Sequence, residues 1–316
     1  GYALNPISKP NFFDDLNLSK YLKKDFRQNI LNEKKLNSVM AQVKPNIVFH
    51  MAAQSSVLVS YQKPMKTIYE NVIGTVNVLE AIKKCSSVKS AIIVTTDKVY
   101  LNLETKNKFK EGDNLGGLDI YSGSKAACEV LTNSFFNSFM KNKDLNLATV
   151  RSGNCIGGGD WTKDRIIKDC AESFIFNKNI KIRSPKASRP WQHVIEPLFG
   201  YLKLSEKLFY KKKFSGSWNF GPINEEAISV KKIIELFGKY WEKPEIIYCH
   251  NPLPESDTLK LNSSKAQYKL GWATFLNTEE AIYQTALWYK TFTESPRKAA
   301  KLTLDQIEMY INKKKL

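Results

Sequence analysis

The sequence predicts an α/β protein with a doubly wound parallel sheet in the first half of the chain and a smaller C-terminal lobe. Short apolar runs alternate with helical periodicity, and this alternation loosens after about residue 153, where glycines and prolines mark loops. Strand–helix alternation with short apolar strands is typical of a parallel sheet that is covered on both faces. The length of 316 residues allows one large domain or two smaller ones.

Three apolar runs are predicted to be buried strands. They span residues 45–50, 89–95 and 147–150. Ligands of parallel sheets bind beyond the carboxyl ends of the strands, so polar residues that follow these runs are candidates for binding or chemistry.

Helices are predicted between and after these strands. Residues 65–84 place Ile68, Val72 and Val76 at helical spacing, and residues 120–140 form a second helix. Further helical segments are predicted at residues 164–177, 195–209, 228–242 and 278–294.

The domain boundary is predicted near residue 152. We expect residues 1–152 to form the sheet domain, joined by returning segments at about 190–222. Residues 153–316 would then form most of the second lobe, because the regular strand–helix order ends there.

Composition excludes several classes of function. Hydrophobic residues make up 42% of the chain, and no run of eighteen apolar residues could span a membrane. The net charge of +17 raises the possibility of nucleic-acid binding, but the basic runs are short and contain no interleaved aromatic residues. We therefore expect no nucleic-acid partner. Five widely spaced cysteines without a CxxC pair favour free thiols, a cytoplasmic location and no metal site.

The stretch YSGSK, at 121–125, contains the first catalytic candidates. Tyr121 and Lys125 are four residues apart and would share one face of a helix. Because a nearby ammonium favours the phenolate, we expect Lys125 to lower the pKa of Tyr121, which could then accept a proton from a hydroxyl group. A second YxxxK pair, Tyr310 and Lys314, lies near the lysine-rich C terminus, where we expect a solvated helix face.

The stretch VTTDKVY, at 94–100, contains the second set of candidates. Thr96, Asp97 and Lys98 follow directly after a predicted buried strand. An acid beside a base at the carboxyl end of a parallel strand predicts a site for a ligand or a reaction. The structural alternative is that Asp97 caps a helix and Lys98 is solvated.

Together, these motifs resemble the extended short-chain dehydrogenase/reductase family. Within it, the sequence is most similar to the nucleotide-sugar 4,6-dehydratases, and among those to the CDP-glucose branch. Other matching stretches are HMAAQ (50–54), ENVIGTVNVLEA (70–81), RSGNCIGGGDW (151–161), RPWQHVIEPLFGYL (189–202), SWNFGP (217–222) and KLNSSKAQYKLGW (260–272). The resemblance therefore covers nearly the whole chain, and the RSGNCIGGGDW and RPWQHV stretches are far more specific than the YxxxK pair.

The resemblance implies a Rossmann-like fold, NAD as cofactor and CDP-glucose as substrate. The family's reaction oxidises C4 of the sugar, eliminates water across C5 and C6, and returns the hydride to C6, so that the enzyme is a lyase. Alternatives are another sugar-nucleotide dehydratase, an epimerase, or a truncated non-catalytic relic. An epimerase needs no elimination acid, so the Asp97–Lys98 pair weighs against it.

Catalytic roles follow from the same resemblance. Tyr121 would be the redox base, with Lys125 also holding the nicotinamide ribose, and Thr96 would hydrogen-bond the C4 oxygen. Asp97 would protonate the departing C6 hydroxyl, which requires a raised pKa. Lys98 replaces the glutamate of most 4,6-dehydratases, and it would act either as the C5 base or as a charge that stabilises the enolate.

Binding residues are implied as well. The cofactor would contact Asn29, Ile30, Ala52, Ala53, Gln54, Asn71, Thr95, Tyr121 and Lys125. The substrate would contact Asn154, Arg165, Arg189 and His193. The two arginines are the diphosphate candidates, because a planar guanidinium group suits phosphate oxygens. His50 is expected to be a core histidine. The resemblance also implies a homodimer or homotetramer that pairs through the helices at 65–84 and 120–140.

Two departures from the family pattern are visible. The glycine-rich fingerprint is absent, so we expect that the first strand–helix–strand unit is missing. Either the sequence is a fragment, which we favour, or the protein has lost this unit. Residues 29–32, Asn-Ile-Leu-Asn, replace an Asp-Ile/Leu-Arg-Asp motif, so NAD rather than NADP rests on resemblance alone. The glycines at 157–159 do not form a phosphate loop, because position 162 is threonine.

Overall fold

The protein is described by a computed structural model. It describes residues 1–103, 107–163, 165–182, 185, 187–223, 227–241, 246–248 and 259–314. The strands are β1 (Tyr2–Ala3), β2 (Phe26–Arg27), β3 (Ile47–His50), β4 (Ser90–Val94), β5 (Asn146–Ser152), β6 (Cys155–Ile156), β7 (Ile180–Ile182), β8 (Ser188–Arg189), β9 (Gln192–His193), β10 (Gly216–Phe220), β11 (Ile228–Ser229) and β12 (Ile246–Tyr248).

Helices connect and cover these strands. They are α1 (Phe12–Asp15), α2 (Glu33–Val43), α3 (Val57–Gln62), α4 (Pro64–Ile68), α5 (Gly74–Lys84), α6 (Ile120–Phe135), α7 (Ile166–Ile175), α8 (Ile195–Tyr210), α9 (Val230–Gly238), α10 (Ser264–Leu270), α11 (Thr278–Glu294) and α12 (Pro296–Lys314). A π-helical turn, Tyr69–Ile73, joins α4 to α5, and a second one, Phe136–Met140, extends α6.

The central sheet is parallel, as predicted. Among the described residues its strand order is β10-β5-β4-β3, and Val150 of β5 lies opposite both Val94 and Trp218. Residues 216–220 therefore return to the sheet from the second half of the chain. The pair β1–β2 is also parallel and forms a separate two-stranded sheet.

The two faces of the sheet pack against different helices. On β4, Ala91 and Ile93 pack with α5, whereas Ile92 between them packs with α8 on the opposite face. This alternation follows from the two-residue period of a strand, and it makes the sheet doubly wound. The predicted fold class is thus confirmed.

The prediction that residues 45–50 form a buried strand is wrong for half of its side chains. Strand β3 pairs only with β4 in the described structure, and Ile47 and Phe49 are exposed. An edge strand buries fewer side chains than a central one, and an apolar run does not reveal how many neighbours its strand has.

The second lobe has its own core, built from α7, α9 and α11 around Trp288, Tyr289 and Phe237. The glycine triplet belongs to this packing. A Cβ atom on Gly158 would come within 2.0 Å of the Trp288 ring, and one on Gly159, where φ is +84°, within 2.1 Å of Phe12. Aromatic packing thus accounts for Gly158 and Gly159.

The C-terminal helix corrects another prediction. Tyr310 lies on α12 and is buried, not solvated, and its hydroxyl donates to the carboxylate of Glu196 at the start of α8. Glu196 also accepts hydrogen bonds from the backbone N–H groups of Phe275 and Leu276. The tyrosine of the second YxxxK pair, Tyr310, is therefore part of a packing contact that holds the last helix against α8.

Candidate active site

A cavity of about 460 Å³ opens at the carboxyl ends of β4 and β5. The sheet contributes Thr95, Thr96, Asp97, Lys98 and the residues from Ser152 to Gly157, helix α6 contributes Tyr121, and the second lobe contributes Arg165, Arg189 and Trp191. The cavity thus lies where parallel sheets bind ligands, and it brings together most of the residues predicted for catalysis and substrate binding.

The turn after β4 presents the acid. Thr96 caps a short 3₁₀ turn, Asp97–Val99, and its hydroxyl donates to Oδ1 of Asp97 at 3.0 Å. Asp97 is buried, and desolvation raises its pKa, against the opposing charges of Lys98 and Arg189. The raised pKa agrees with the expectation for a carboxyl group that donates a proton.

The Tyr121 phenol differs from its prediction. Burial raises its pKa, and the opposing effects come from a hydrogen bond with Thr96 and from the charge of Arg165. The expectation that Lys125 lowers this pKa is therefore wrong for this structure. The ammonium of Lys125 instead donates to the carbonyl oxygen of Val94 at 2.9 Å, at the end of β4.

Lys125 is fully buried on α6. Desolvation lowers its pKa, while the thiol of Cys128 and the carboxylate of Glu129 oppose that shift. Tyr121, Lys125 and Glu129 follow each other at four-residue intervals, so they lie along one face of the helix.

Glu129 and Arg151 form a buried ion pair that the sequence analysis missed. Both side chains are 2% exposed, and Nε and Nη2 of Arg151 each donate to the carboxylate at 2.9 Å. Two signals in the sequence point to the pair: a carboxylate four residues after Lys125 in an apolar helix, and an arginine at the end of an apolar strand. Only the fold shows that they meet.

The arginines predicted to bind diphosphate both reach the cavity. Arg189 is buried, and its charge acts on Asp97. Arg165 is exposed at the start of α7, and its Nη2 donates to the carbonyl oxygen of Ser55 at 3.1 Å and to the Ser55 hydroxyl at 3.3 Å. Arg165 thereby bridges the second lobe and the loop after β3.

Asn154 and His193 have different outcomes. Asn154 lines the cavity, and its carbonyl accepts a hydrogen bond from the backbone of Gln192. His193 is buried beside Ile195 and is not among the described residues that line the cavity. Burial lowers the pKa of His193 to about 4, so it is neutral near pH 7.

Comparison with known proteins identifies the family. A family model described as GDP-mannose 4,6 dehydratase matches residues 16–199. A CDP-glucose 4,6-dehydratase of Salmonella typhimurium is 39% identical over 300 residues, which cover 92% of this chain and 83% of that protein. The chain belongs to the nucleotide-sugar 4,6-dehydratase family. The dTDP-D-glucose 4,6-dehydratase of Dictyostelium discoideum is 25% identical over 84% of this chain and 69% of that protein.

Solved structures agree on the fold of this dehydratase-family chain. The UDP-glucuronic acid 4-epimerase of Bacillus cereus, solved in complex with UDP-glucuronic acid and NAD, superposes with a TM-score of 0.79. It is 18% identical and covers 92% of this chain and 91% of that one. The likeness supports the Rossmann-like parallel sheet.

The cofactor candidates of the dehydratase fold lie partly around the turn after β3. Asn71 is buried in the π-helical turn, where its side chain accepts from Gln54 N at 2.7 Å and donates to Gln54 O at 3.0 Å. It also donates to the Ser124 hydroxyl on α6 at 2.9 Å. Asn71 is thus satisfied by tertiary contacts, and it fixes the turn that contains Ala52 and Ala53.

The side chains of two other cofactor candidates, Asn29 and Ile30, make contacts within the fold. The side chain of Asn29 accepts from the backbone N–H of Leu31 at 2.9 Å, and Ile30 packs so closely on Gly74 that a Cβ there would lie 2.4 Å from its terminal methyl. Neither is among the described residues that line the cavity.

His50 matches its prediction as a core histidine. Burial lowers its pKa to about 3, and its Nε2 is 3.0 Å from the Thr75 hydroxyl. Among the described residues no group of three His, Cys, Asp or Glu side chains could hold a metal ion. Within the same residues no helix is long and apolar enough to cross a membrane.

The residues of this family member fit the nicotinamide half of NAD. Tyr121 faces the cavity next to the loop after β3, where Ala52 and the exposed Ala53 have side chains small enough to allow close approach. Residues 1–316 contain no G-x-G-x-x-G sequence for the pyrophosphate.

Proposed function

We propose that the chain is an NAD-dependent CDP-glucose 4,6-dehydratase, a lyase that forms CDP-4-keto-6-deoxy-D-glucose. The observation that carries this proposal is the cluster of Thr96, Asp97 and Tyr121 in one cavity. A base for an alcohol proton and a separate buried acid are what oxidation followed by elimination requires. The similarity to the Salmonella enzyme supports CDP-glucose as the substrate.

The roles of the chain's residues follow from their positions. Bound NAD would supply the hydride acceptor for C4 and the hydride donor for C6. Thr96 would hold the C4 oxygen against the Tyr121 oxygen, which in its phenolate form takes the hydroxyl proton and becomes the phenol. Asp97, from the same turn, would protonate the departing C6 hydroxyl. Lys98 would lie on the C5 side, where it would either take the C5 proton itself or stabilise the enolate by its charge while water takes that proton.

Substrate binding is assigned to the cavity's cationic wall. Arg165 and Arg189 would hold the diphosphate, since one guanidinium group can donate two parallel hydrogen bonds to the oxygens of a phosphate. Residues 153–316 would form most of the sugar-nucleotide lobe, and residues 1–152 with the returning segments would bind the cofactor. Cytoplasmic location is part of the proposal, and the cysteines that the structure describes are free thiols.

The assay for this function is mass spectrometry of CDP-glucose incubated with NAD and the full-length protein. Loss of one water from the sugar nucleotide is the expected result. An unchanged mass, with a protein that is folded and stabilised by NAD in thermal unfolding, would contradict CDP-glucose as the substrate. The same incubation with dTDP-, UDP- and GDP-sugars tests the other dehydratases, and a change of configuration without water loss would indicate an epimerase.

A second proposal concerns self-association. Along α4 and the π-helical turn, Met65, Tyr69 and Ile73 are exposed at four-residue intervals, and Val130 is exposed on the neighbouring helix α6. Such a stripe on adjacent helices supports pairing with a second copy of the chain. The proposed dimer interface is thus the surface formed by 65–84 and 120–140.

We expect Tyr69→Glu to weaken the dimer at least tenfold, because the substitution places a charge in an apolar interface. Sedimentation equilibrium of the full-length protein measures the change. Tyr268→Glu is the matched control, since Tyr268 on α10 is 84% exposed, compared with 52% for Tyr69, and lies outside the stripe. Equal effects of the two variants, or a monomeric parent protein, would contradict this interface.

A further inference from the structure

The carboxylate of Glu129 is a buried group with no role in the chemistry above. In addition to Arg151, it accepts the hydroxyl of Thr95 on Oε1 at 2.5 Å and that of Thr149 on Oε2 at 2.6 Å. Arg151 is fixed in turn, because its Nη1 donates to the Tyr100 hydroxyl at 2.7 Å. Two parallel bonds from a guanidinium group hold a carboxylate in one orientation.

The contact with Thr95 reaches the active-site turn, which consists of Thr96 and the 3₁₀ turn Asp97–Val99 that it caps. Thr95 is the residue between β4 and Thr96, and its backbone N–H donates to the Val150 carbonyl at 2.9 Å. Its hydroxyl donates to Glu129 and to the Val150 carbonyl.

The end of β4 is thereby joined to α6 at two successive residues. The ammonium of Lys125 holds the carbonyl of Val94, and the carboxylate of Glu129 holds the hydroxyl of Thr95. Both contacts come from the helix face that also carries Tyr121. They set the position of α6 along the strand, and with it the approach of Tyr121 to the next residue of the turn, Thr96.

This alignment matters for the reaction because Thr96 and Tyr121 come from different elements and must meet at one oxygen atom. A misplacement of about 1 Å between reacting groups costs on the order of 100-fold in rate. We propose that Glu129, held by Arg151, is a positioning residue that acts through the Thr95 hydroxyl to hold α6 against the active-site turn. The effect of this positioning on the rate of dehydration rests on the proposed function. Its effect on the stability of the turn, residues 96–99, does not depend on that function.

The chain offers a matched pair of variants. Thr95→Val and Thr149→Val each remove one hydroxyl that donates to the same carboxylate, but Thr149 lies inside β5, away from the turn. Both keep the ion pair and the shape of the side chain. Thr95→Ser restores the hydroxyl. The readouts are kcat and KM for CDP-glucose, amide hydrogen exchange of residues 96–99, and thermal unfolding.

We expect Thr95→Val to lower kcat about tenfold with KM within about twofold, and to speed exchange of residues 96–99 about tenfold, which corresponds to about 1.4 kcal/mol. Thr95→Ser should recover most of both losses. Thr149→Val should lower the Tm by a similar amount to Thr95→Val and leave kcat and the exchange of residues 96–99 unchanged.

Three results would overturn the positioning role. They are equal losses of kcat in Thr95→Val and Thr149→Val, faster exchange in Thr95→Val at an unchanged kcat, and a lower kcat without faster exchange, which would give the hydroxyl a direct role. If the parent protein does not dehydrate CDP-glucose, the proposed function fails, and the exchange of residues 96–99 in the two variants alone decides the positioning role.

Discussion

Tyr121→Phe should lower kcat by about 100- to 10,000-fold, because it removes the group that accepts the C4 hydroxyl proton. The substitution deletes one oxygen atom from a side chain that packs in a buried position, so the fold should be kept. KM should change little, because Tyr121 acts on the reacting hydroxyl, whereas binding of the substrate's diphosphate is assigned to Arg165 and Arg189. Steady-state kinetics with CDP-glucose measures both constants.

The control for Tyr121→Phe is the other tyrosine of a YxxxK pair. Tyr310→Phe also removes a buried hydroxyl, but that hydroxyl contacts Glu196 at the C-terminal helix. It should lower the free energy of unfolding by about 1–3 kcal/mol, since a buried carboxylate loses a donor, and leave kcat unchanged. Comparable kcat values for Tyr121→Phe and the parent protein would contradict the base assignment.

The proposed catalytic cluster was predictable because its members are close in sequence or occupy a recognisable place in the fold. Thr96 and Asp97 directly follow an apolar run, and a parallel strand presents the residues after its carboxyl end to a ligand. Tyr121 opens a helix whose four-residue spacing to Lys125 is readable without a structure. Each of these signals comes from a single strand or helix, so it can be recognised in the sequence without knowing how the elements pack.

What the sequence could not show are contacts between elements. Lys125 was paired with Tyr121 by helical spacing, but its ammonium reaches back to the carbonyl of Val94, 31 residues earlier. Glu129 and Arg151 are 22 residues apart on a helix and a strand, and their pairing depends on how α6 crosses the sheet. Helical spacing states which side chains share a face, and packing decides what that face meets.

Burial was the other quantity that the pattern misjudged. The apolar runs that became β3 and β4 look alike in sequence, yet β4 is a central strand with Ile92 fully buried, whereas β3 is an edge strand with Phe49 exposed. Tyr310 shows the opposite error, because a lysine-rich neighbourhood concealed a buried contact. In each case the exposure of the side chain depends on how many helices and strands pack around it. Local composition does not encode that number.

Asp97→Asn should lower product formation by about 100- to 10,000-fold, because it removes the proton donor for the departing C6 hydroxyl. Tyr121→Phe acts at an earlier step, the oxidation at C4. The buried asparagine keeps the shape of the carboxyl group and its contact with Thr96. Oxidation at C4 and removal of the C5 proton precede the loss of water and do not use Asp97. In D₂O, CDP-glucose recovered from this variant should therefore gain deuterium at C5, whereas CDP-glucose recovered from Tyr121→Phe should gain none.

The pH dependence of the parent enzyme provides an independent check on the same carboxyl group. A general acid works in its protonated form, so the rate of dehydration should fall as pH rises through the pKa of Asp97. Because burial raises that pKa, the fall should begin at a higher pH than for an exposed aspartic acid. Asp97→Asn should lack this dependence, and mass spectrometry of product formed across a pH series measures it. If the variant lost C5 exchange together with product, Asp97 would act before the elimination and not in it.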